Sequence, residues 1–451
     1  QIDWDAAALE NISHNDIYIS PDGDTLRNFS KNAQTLFLAS HYWVGWISSI
    51  NHKPNENLSL TAGIHIRHFK SKLWEEIHDL LGGNYFIDNY AWAAEGRAGR
   101  ELLKYRGDKV RIDNGAVVDL ASAFAKAEYT SGPWSWVLSA GAHYNLFQRE
   151  DRYNYPSAPS SERIGKSGAE LRAGIHYNIS RIISVYGNAG FASRIPYYKF
   201  VFPNFNNNPA QNLRNESVNQ AETGIQISGE RIRIRFNAYY VYWNNKSLLS
   251  NEYTQIDNQS STRAMVTGLA ARHQGVEAEA NYQTSSGILS LTGFVSLGNW
   301  KWKNNVEAIL FNNENQPVDT VRVYADGLYV GDAPQFQSGL MADVKILPTV
   351  GLHASYLWND RFYADFDPST RSKPLTTQPY RIPGFGITGL MMNWDTKLFG
   401  SHTRIGIACN NIFNQEYLIR GEDGPGHDKD SFRGFWGPGR TFRISLRIQL
   451  R

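Results

Sequence analysis

A chain of 451 residues can hold two or three soluble domains or one very large β architecture. Aromatics make up 13% of it, with 13 Trp and 24 Tyr, yet mean hydropathy is −0.45 and no run reaches the roughly 18–20 apolar residues of a membrane-crossing helix, so helical spanning is excluded. Acids and bases are interspersed at a net charge of +2, which excludes the strong field that nucleic-acid binding needs, and the single Cys409 excludes an intrachain disulfide.

The chain begins at Gln1 with no basic and apolar leader, so a signal peptide is expected to have been removed or to lie outside this sequence. QIDWDAAALENISHNDIYISPDGDTL then reads as a loop. From there, apolar and polar residues alternate with period two, which predicts strands near 33–52, 57–70, 116–130, 134–149, 167–179, 182–193, 213–229, 231–244, 265–284, 287–302, 334–347, 350–363, 384–396, 402–413 and 440–450. In WSWVLSAGAHYNLF, Trp134, Trp136, Leu138, Ala140, Ala142, Tyr144 and Leu146 share one face against Ser135, Ser139, His143 and Asn145. Many segments exceed ten residues, where soluble strands average about five or six.

Connections alternate between tight turns and long loops. TSGP (130–133), SR (180–181), GE (229–230), TSSG (284–287), LPT (347–349) and FGSH (399–402) are short, and between them lie connections of about 15 to 40 residues rich in Asn, Asp, Gly and Pro. Short turns on one side and long loops on the other predict a transmembrane antiparallel up-and-down β-barrel with its turns in the periplasm. A soluble sandwich or propeller also alternates, but it predicts shorter strands and polar outer faces. Here the apolar faces end in Trp134, Trp136, Tyr240, Tyr242, Trp243, Tyr356 and Trp358, as interfacial girdles do.

Arginine on the lipid face costs about 2–4 kcal/mol near the membrane midplane. Arg233 and Arg235, and Arg443 and Arg447 in the closing stretch TFRISLRIQLR, are therefore expected in the lumen. Cys409 shares its parity with Ile405 and Ile407 and is expected to face lipid with no redox role. Fifteen strands is an odd count, where single-chain bacterial barrels have an even one, so at least one earlier strand is expected, and seven if the barrel has 22.

Ligand contact is expected from the long loops, because turns face the wrong compartment and strands form the wall. Residues 71–115 offer Trp74, His78, Tyr85, Tyr90, Trp92, Arg97, Arg100 and Arg106, aromatics and cations that suit an anionic or aromatic solute and equally suit a self-packed loop. Residues 194–212 offer Pro196, Tyr197, Tyr198, Phe200, Phe202 and Phe205, and residues 300–330 offer Trp300 and Trp302 before VDTVRVYADGLYV, which reads as a hairpin above the membrane. In GEDGPGHDKDSF, Glu422, Asp423, His427, Asp428 and Asp430 do not follow the order of a calcium loop, and a solvated acidic loop is the reading taken. No metal site or cofactor is expected. An enzyme is not expected either: no GxSxG occurs, and Ser139 and His143 would lie about 13 Å apart along one strand, beyond hydrogen-bond reach.

Several motifs, in order, resemble those of TonB-dependent outer-membrane receptors. CNNIFNQEY (409–417) resembles the family's N-L-F-x-x-x-Y, and WGPGRTFRISLRIQL resembles its PGR loop end and terminal strand. FASRIPYYKF with LRNESVNQAETGI, GVEAEANY (275–282) and GDAPQFQSGLMADV (331–344) resemble mid-barrel stretches, and EEIHDLLGGNYFIDN (75–89) resembles a loop of receptors from Bacteroidetes-type bacteria. The chain ends in Leu450 and Arg451 where the family usually has an aromatic residue.

The resemblance implies that residues 1–451 are the last fifteen or so strands of a 22-stranded barrel in the outer membrane of a Gram-negative bacterium, with the N-terminal plug and first strands outside this sequence. It implies uptake of a scarce solute, such as a siderophore, haem, vitamin, saccharide or peptide, energised by the TonB complex through that N-terminal region. The lumenal arginines would then face plug carboxylates. Besides the solute and TonB, the implied partner is outer-membrane lipid. A general diffusion porin or a surface adhesin-type barrel would use the same wall.

Overall fold

Alternating segments this long can satisfy their backbone groups in a membrane only by pairing with one another, and the computed structural model shows that pairing throughout. It describes residues 2–89, 101–203, 207–249, 263–311, 317–374, 377–398 and 400–449. Fifteen long strands form one antiparallel sheet: β1 (Gln34–Asn55), β2 (Leu58–Asp79), β3 (Lys109–Ser131), β4 (Trp134–Asp151), β5 (Ile164–Asn178), β6 (Ile183–Arg194), β7 (Glu216–Ser228), β8 (Ile232–Leu249), β9 (Arg263–Gln283), β10 (Leu289–Trp302), β11 (Pro334–Leu347), β12 (Val350–Tyr363), β13 (Phe385–Leu398), β14 (Ser401–Asn410) and β15 (Thr441–Ile448). Each pairs with its neighbours in sequence, an up-and-down order. Among the described residues β1 ladders only with β2 and β15 only with β14, so the wall has two edges.

Every expected strand is present, but β2 and β3 overrun their predicted limits. They have 22 and 23 residues, about 70 Å of extended chain, where a tilted membrane-crossing strand needs about 9–11 residues. The excess rises on the long-loop side, and it carries Trp74 and His78 into β2 instead of the expected loop.

Register sorts the side chains by parity. On β8, Ile234 lies between Ile227 and Ala280, and Phe236 between Ile225 and Ala278, giving an apolar lipid face. Arg235 lies between Gln226 and Glu279, and Asn237 faces Glu277, giving a polar face opposite the apolar one. Cys409 is paired with Leu390 and Phe442, on the aliphatic face. Trp243 departs from the expected girdle: it has the parity of Arg235 and packs against a buried cluster, with the Lys246 ammonium 4.7 Å from its ring.

A wall with lipid on one side and lumen on the other has no interior of its own, so packed cores arise where the long loops fold over its end. One core joins Val266, Leu269, Trp302, Leu310, Val323, Leu328 and Phe366 beneath the hairpin Val306–Phe311/Pro317–Val323. The other joins Phe147, Ile195, Phe200, Phe202, Leu213 and Met265. Helix α1 (Trp4–Ser13) precedes the wall and helix α2 (Tyr198–Val201) follows β6.

Candidate functional site

Pro196 has no N–H to give to a ladder, so β6 ends and the chain turns through α2, where Phe200 N donates to Tyr197 O at 2.9 Å and Phe202 N to Tyr198 O at 3.0 Å. That turn lays α2 against the lumenal face of β2–β4. Between them lies a cleft of about 340 Å³ lined by Phe69, Ser71 and Leu73 of β2, Asn114, Ala116 and Val118 of β3, Arg149 of β4, Leu249 of β8, and Tyr198, Lys199 and Phe202. Its walls are mostly apolar. Tyr198 packs 5.5 Å from Phe202, ring to ring, and burial pushes its hydroxyl above the ordinary range, so it stays protonated.

The cations of the cleft differ in kind. Arg149 is 4% exposed and held: its Nη2 donates to Asp151 Oδ2 at 2.6 Å and its Nη1 to Asn207 Oδ1 at 2.8 Å. Lys199 is exposed at the rim. An apolar slot whose buried arginine is already neutralised by Asp151 and whose rim carries the Lys199 ammonium suits a solute with a flat or aliphatic body and a negative charge near the rim.

Other expected contacts lie elsewhere. Trp74 is on the outward face of β2, its Nε1 donating to Glu76 Oε2 at 3.0 Å, and His78 is exposed on the same parity. Tyr85 is absorbed by loop packing, its hydroxyl donating to Arg27 O at 2.7 Å. Tyr197 is 55% exposed with the Arg194 guanidinium 4.4 Å from its ring. Trp302 is 2% exposed and meets Phe366 edge-to-face at 5.6 Å, so it is a core residue with no surface for a ligand. Trp92 and Arg97 lie outside the described residues, as do Tyr90 and Arg100.

The sequence reading missed Phe69, Leu73, Arg149 and Leu249, because they belong to wall strands. A signal existed: on β2 the parity of His65 and Arg67 turns apolar at Phe69 and Leu73, where a lumenal face has no reason to do so unless something covers it.

The acidic loop needs correction as well. Asp423 is fully buried, with Arg371 Nη2 donating to its Oδ2 at 2.6 Å, Tyr380 N donating to its Oδ1 at 2.9 Å, and His427 Nδ1 2.7 Å from its Oδ2. Asp428 caps its own turn through Ser431 N and Oγ at 2.9 and 2.8 Å. The loop is thus partly an interior ion-pair network. No metal-competent group of three or more side chains occurs among the described residues.

On the lumenal wall a polar basin of about 620 Å³ is lined by Tyr186, Glu222, Gln226, Arg235, Asn237, Glu277 and Glu279, among others. Arg235 Nη2 donates to Gln226 Oε1 at 3.2 Å, and Arg233 lies two positions along, between Ser228 and Asn281. On β15, Arg443 pairs with Ala408 and Arg447 with Arg404, whose guanidinium donates to Asp395 at 2.6 and 2.9 Å.

A family model described as "TonB dependent receptor-like, beta-barrel" matches residues 2–412. No curated protein sequence matches the chain. Among solved structures, the copper transporter OprC is similar at TM-score 0.60 and 15% identity over 91% of this chain and 57% of its own. The siderophore receptor PiuA from Acinetobacter baumannii is similar at 0.60 and 12%, over 91% and 56%, and the unliganded ferric citrate transporter FecA at 0.58 and 13%, over 93% and 56%. The chain thus spans about half the length of the structures it matches.

Proposed function

The chain belongs to the TonB-dependent receptor-like β-barrel family, and on that premise we propose that it forms the wall and solute-docking loops of an outer-membrane importer energised by TonB. The family is one of outer-membrane transporters and not of enzymes, and its barrel crosses the membrane with strands. Membership supports this reading over a general diffusion porin.

The observation that carries the docking site is the cleft under α2: Phe69, Leu73, Val118, Tyr198 and Phe202 form its body, Lys199 supplies positive charge at its rim, and Arg149 is held in its wall by Asp151, at the loop end of the strands. It suits an anionic solute with an apolar or aromatic body, which includes metal chelates of the kind named for FecA and PiuA. The remaining wall, a plug and the TonB contact come from sequence beyond this chain, consistent with its covering 57% of the OprC chain. The lumenal basin around Arg235 and Glu277 faces that plug.

Uptake of radiolabelled ferric citrate and of ferric catecholates by cells carrying the full-length receptor tests the site. Tyr198→Ala and Lys199→Glu should each raise the half-saturating concentration without lowering the amount of receptor in the membrane. Wild-type uptake that both substitutions leave untouched would remove the cleft from the account.

A further inference from the structure

Register sets two side chains of the cleft diagonally across one ladder. Leu73 of β2 is the partner of Asn114 of β3, and Ser71 the partner of Ala116, so Asn114 and Ser71 stand one rung apart on the face that α2 covers. Both are half-buried. Phe69 and Val118 form the following rung, which puts the polar pair toward one end of the slot and the apolar rung at the other, next to Ser71.

The polar groups around this pair are already committed. Asp151 is the partner of Asn114 on β4, and both its oxygens are taken: Tyr153 N and Asn154 N donate to Oδ1 at 3.1 and 2.9 Å, and Arg149 Nη2 and Asn154 Nδ2 to Oδ2 at 2.6 and 2.9 Å. The Tyr198 hydroxyl donates to Gly115 O at 3.4 Å. Ser71 Oγ accepts from Ala116 N at 3.2 Å, while its own hydrogen has no acceptor among the described residues. The Asn114 carboxamide makes no hydrogen bond at all among the described residues. An apolar slot is thus left with one carboxamide and one hydroxyl donor, about 7–8 Å apart along the diagonal. Two hydrogen bonds of about 2.9 Å with one secondary amide between them bridge that distance, because the N–H and C=O of a trans amide point in opposite directions. A carboxylate offers only acceptors and would leave the Asn114 carbonyl oxygen without a partner.

We propose that Asn114 and Ser71 are specificity-determining residues that clamp a secondary amide of the solute, its N–H donating to Asn114 Oδ1 and its C=O accepting from Ser71 Oγ. The solute class is then an acid joined through an amide to an aromatic or aliphatic acyl group. The acyl group lies against Phe69 and Val118, on the Ser71 side, and the acid extends past Asn114 to the Lys199 rim. The inference rests on the reading of the cleft as the docking site and deepens it.

Equilibrium dialysis of the detergent-solubilised full-length receptor tests it, with N-benzoylglycine and its ester analogue O-benzoylglycolate as probes. The two differ only in N–H against O. The amide should bind about tenfold tighter, since the ester loses one hydrogen bond and strands its acceptor. Asn114→Leu, and the smaller Asn114→Ala as a second variant, should weaken the amide alone and bring the ratio to about one. Ser71→Ala should weaken both probes about fivefold and leave the ratio in place, because both keep the carbonyl. Binding of neither probe, equal binding of the two by the wild type, or a ratio that survives both Asn114 substitutions would each overturn the proposal. Ferric-chelate uptake that falls in Tyr198→Ala while the two probes bind equally would remove the clamp and keep the docking site, so the two failures are told apart.

Discussion

Arg371 and Asp423 form an ion pair with both side chains at 0% exposure, the guanidinium Nη2 donating to Oδ2 at 2.6 Å across 52 residues of sequence. The pair fastens the segment after β12 to the segment before β15, and Tyr380 N and His427 complete the carboxylate's contacts. Replacing one partner strands the other charge in the interior. Arg371→Met should destabilise this part of the extracellular cap by about 3–5 kcal/mol. Hydrogen exchange should then rise across residues 364–374 and 418–436 and stay unchanged in β4–β8.

Asp365 gives the same cap a pH dependence. Burial, then the charge of Asp332, pushes its carboxyl up from 3.8 to about 6, with Lys246 and Glu422 also facing it. The folded cap therefore favours the protonated acid. Its contribution is intact below the unfolded value near 4 and is lost as pH rises from there through about 6. Asp365→Asn should protect the cap by about 2–3 kcal/mol above pH 7 and by nothing at pH 4, read as protease susceptibility of the loops at the two pH values.

Trp302 tests the assignment of an expected ligand contact to a core. Trp302→Ala should cost the cap about 3–5 kcal/mol, whereas ligand affinity should follow it only through loop exchange. Trp302→Phe keeps the apolar contact with Phe366 and should recover most of the loss in hydrogen exchange of residues 306–328.

How far these features can be read from sequence depends on how local their cause is. Period two gives all fifteen wall strands, since each face meets one uniform medium, lipid or lumen. The same rule places Arg233 and Arg235 opposite Ile234 and Phe236. It fails above the membrane, where both faces of a strand meet protein or water: β2 continues through Trp74 and His78, and Trp243 turns into a core. The Arg371–Asp423 pair and the cleft under α2 join segments that only the closed loops bring together. A residue such as Arg149 therefore looks like any polar wall position until Asn207 and Asp151 are found around it.

Charge on the lumenal wall is the next expectation. Arg235 shares its basin with Glu222, Glu277 and Glu279. Arg235→Glu together with Arg233→Glu would turn the cation that lines the basin into an acid and add a second acid beside it. The full-length receptor should lose thermal stability and uptake, while a barrel expressed without its plug should lose less. Unchanged behaviour of the full-length double variant would separate these arginines from the plug.

The most direct measurement is untargeted mass spectrometry of solutes accumulated from conditioned medium by cells expressing the full-length receptor, in isogenic strains with and without TonB, alongside Tyr198→Ala. The account predicts anionic solutes whose accumulation requires TonB and falls in Tyr198→Ala. Equal accumulation of the same solutes without TonB would mark an open pore and contradict it.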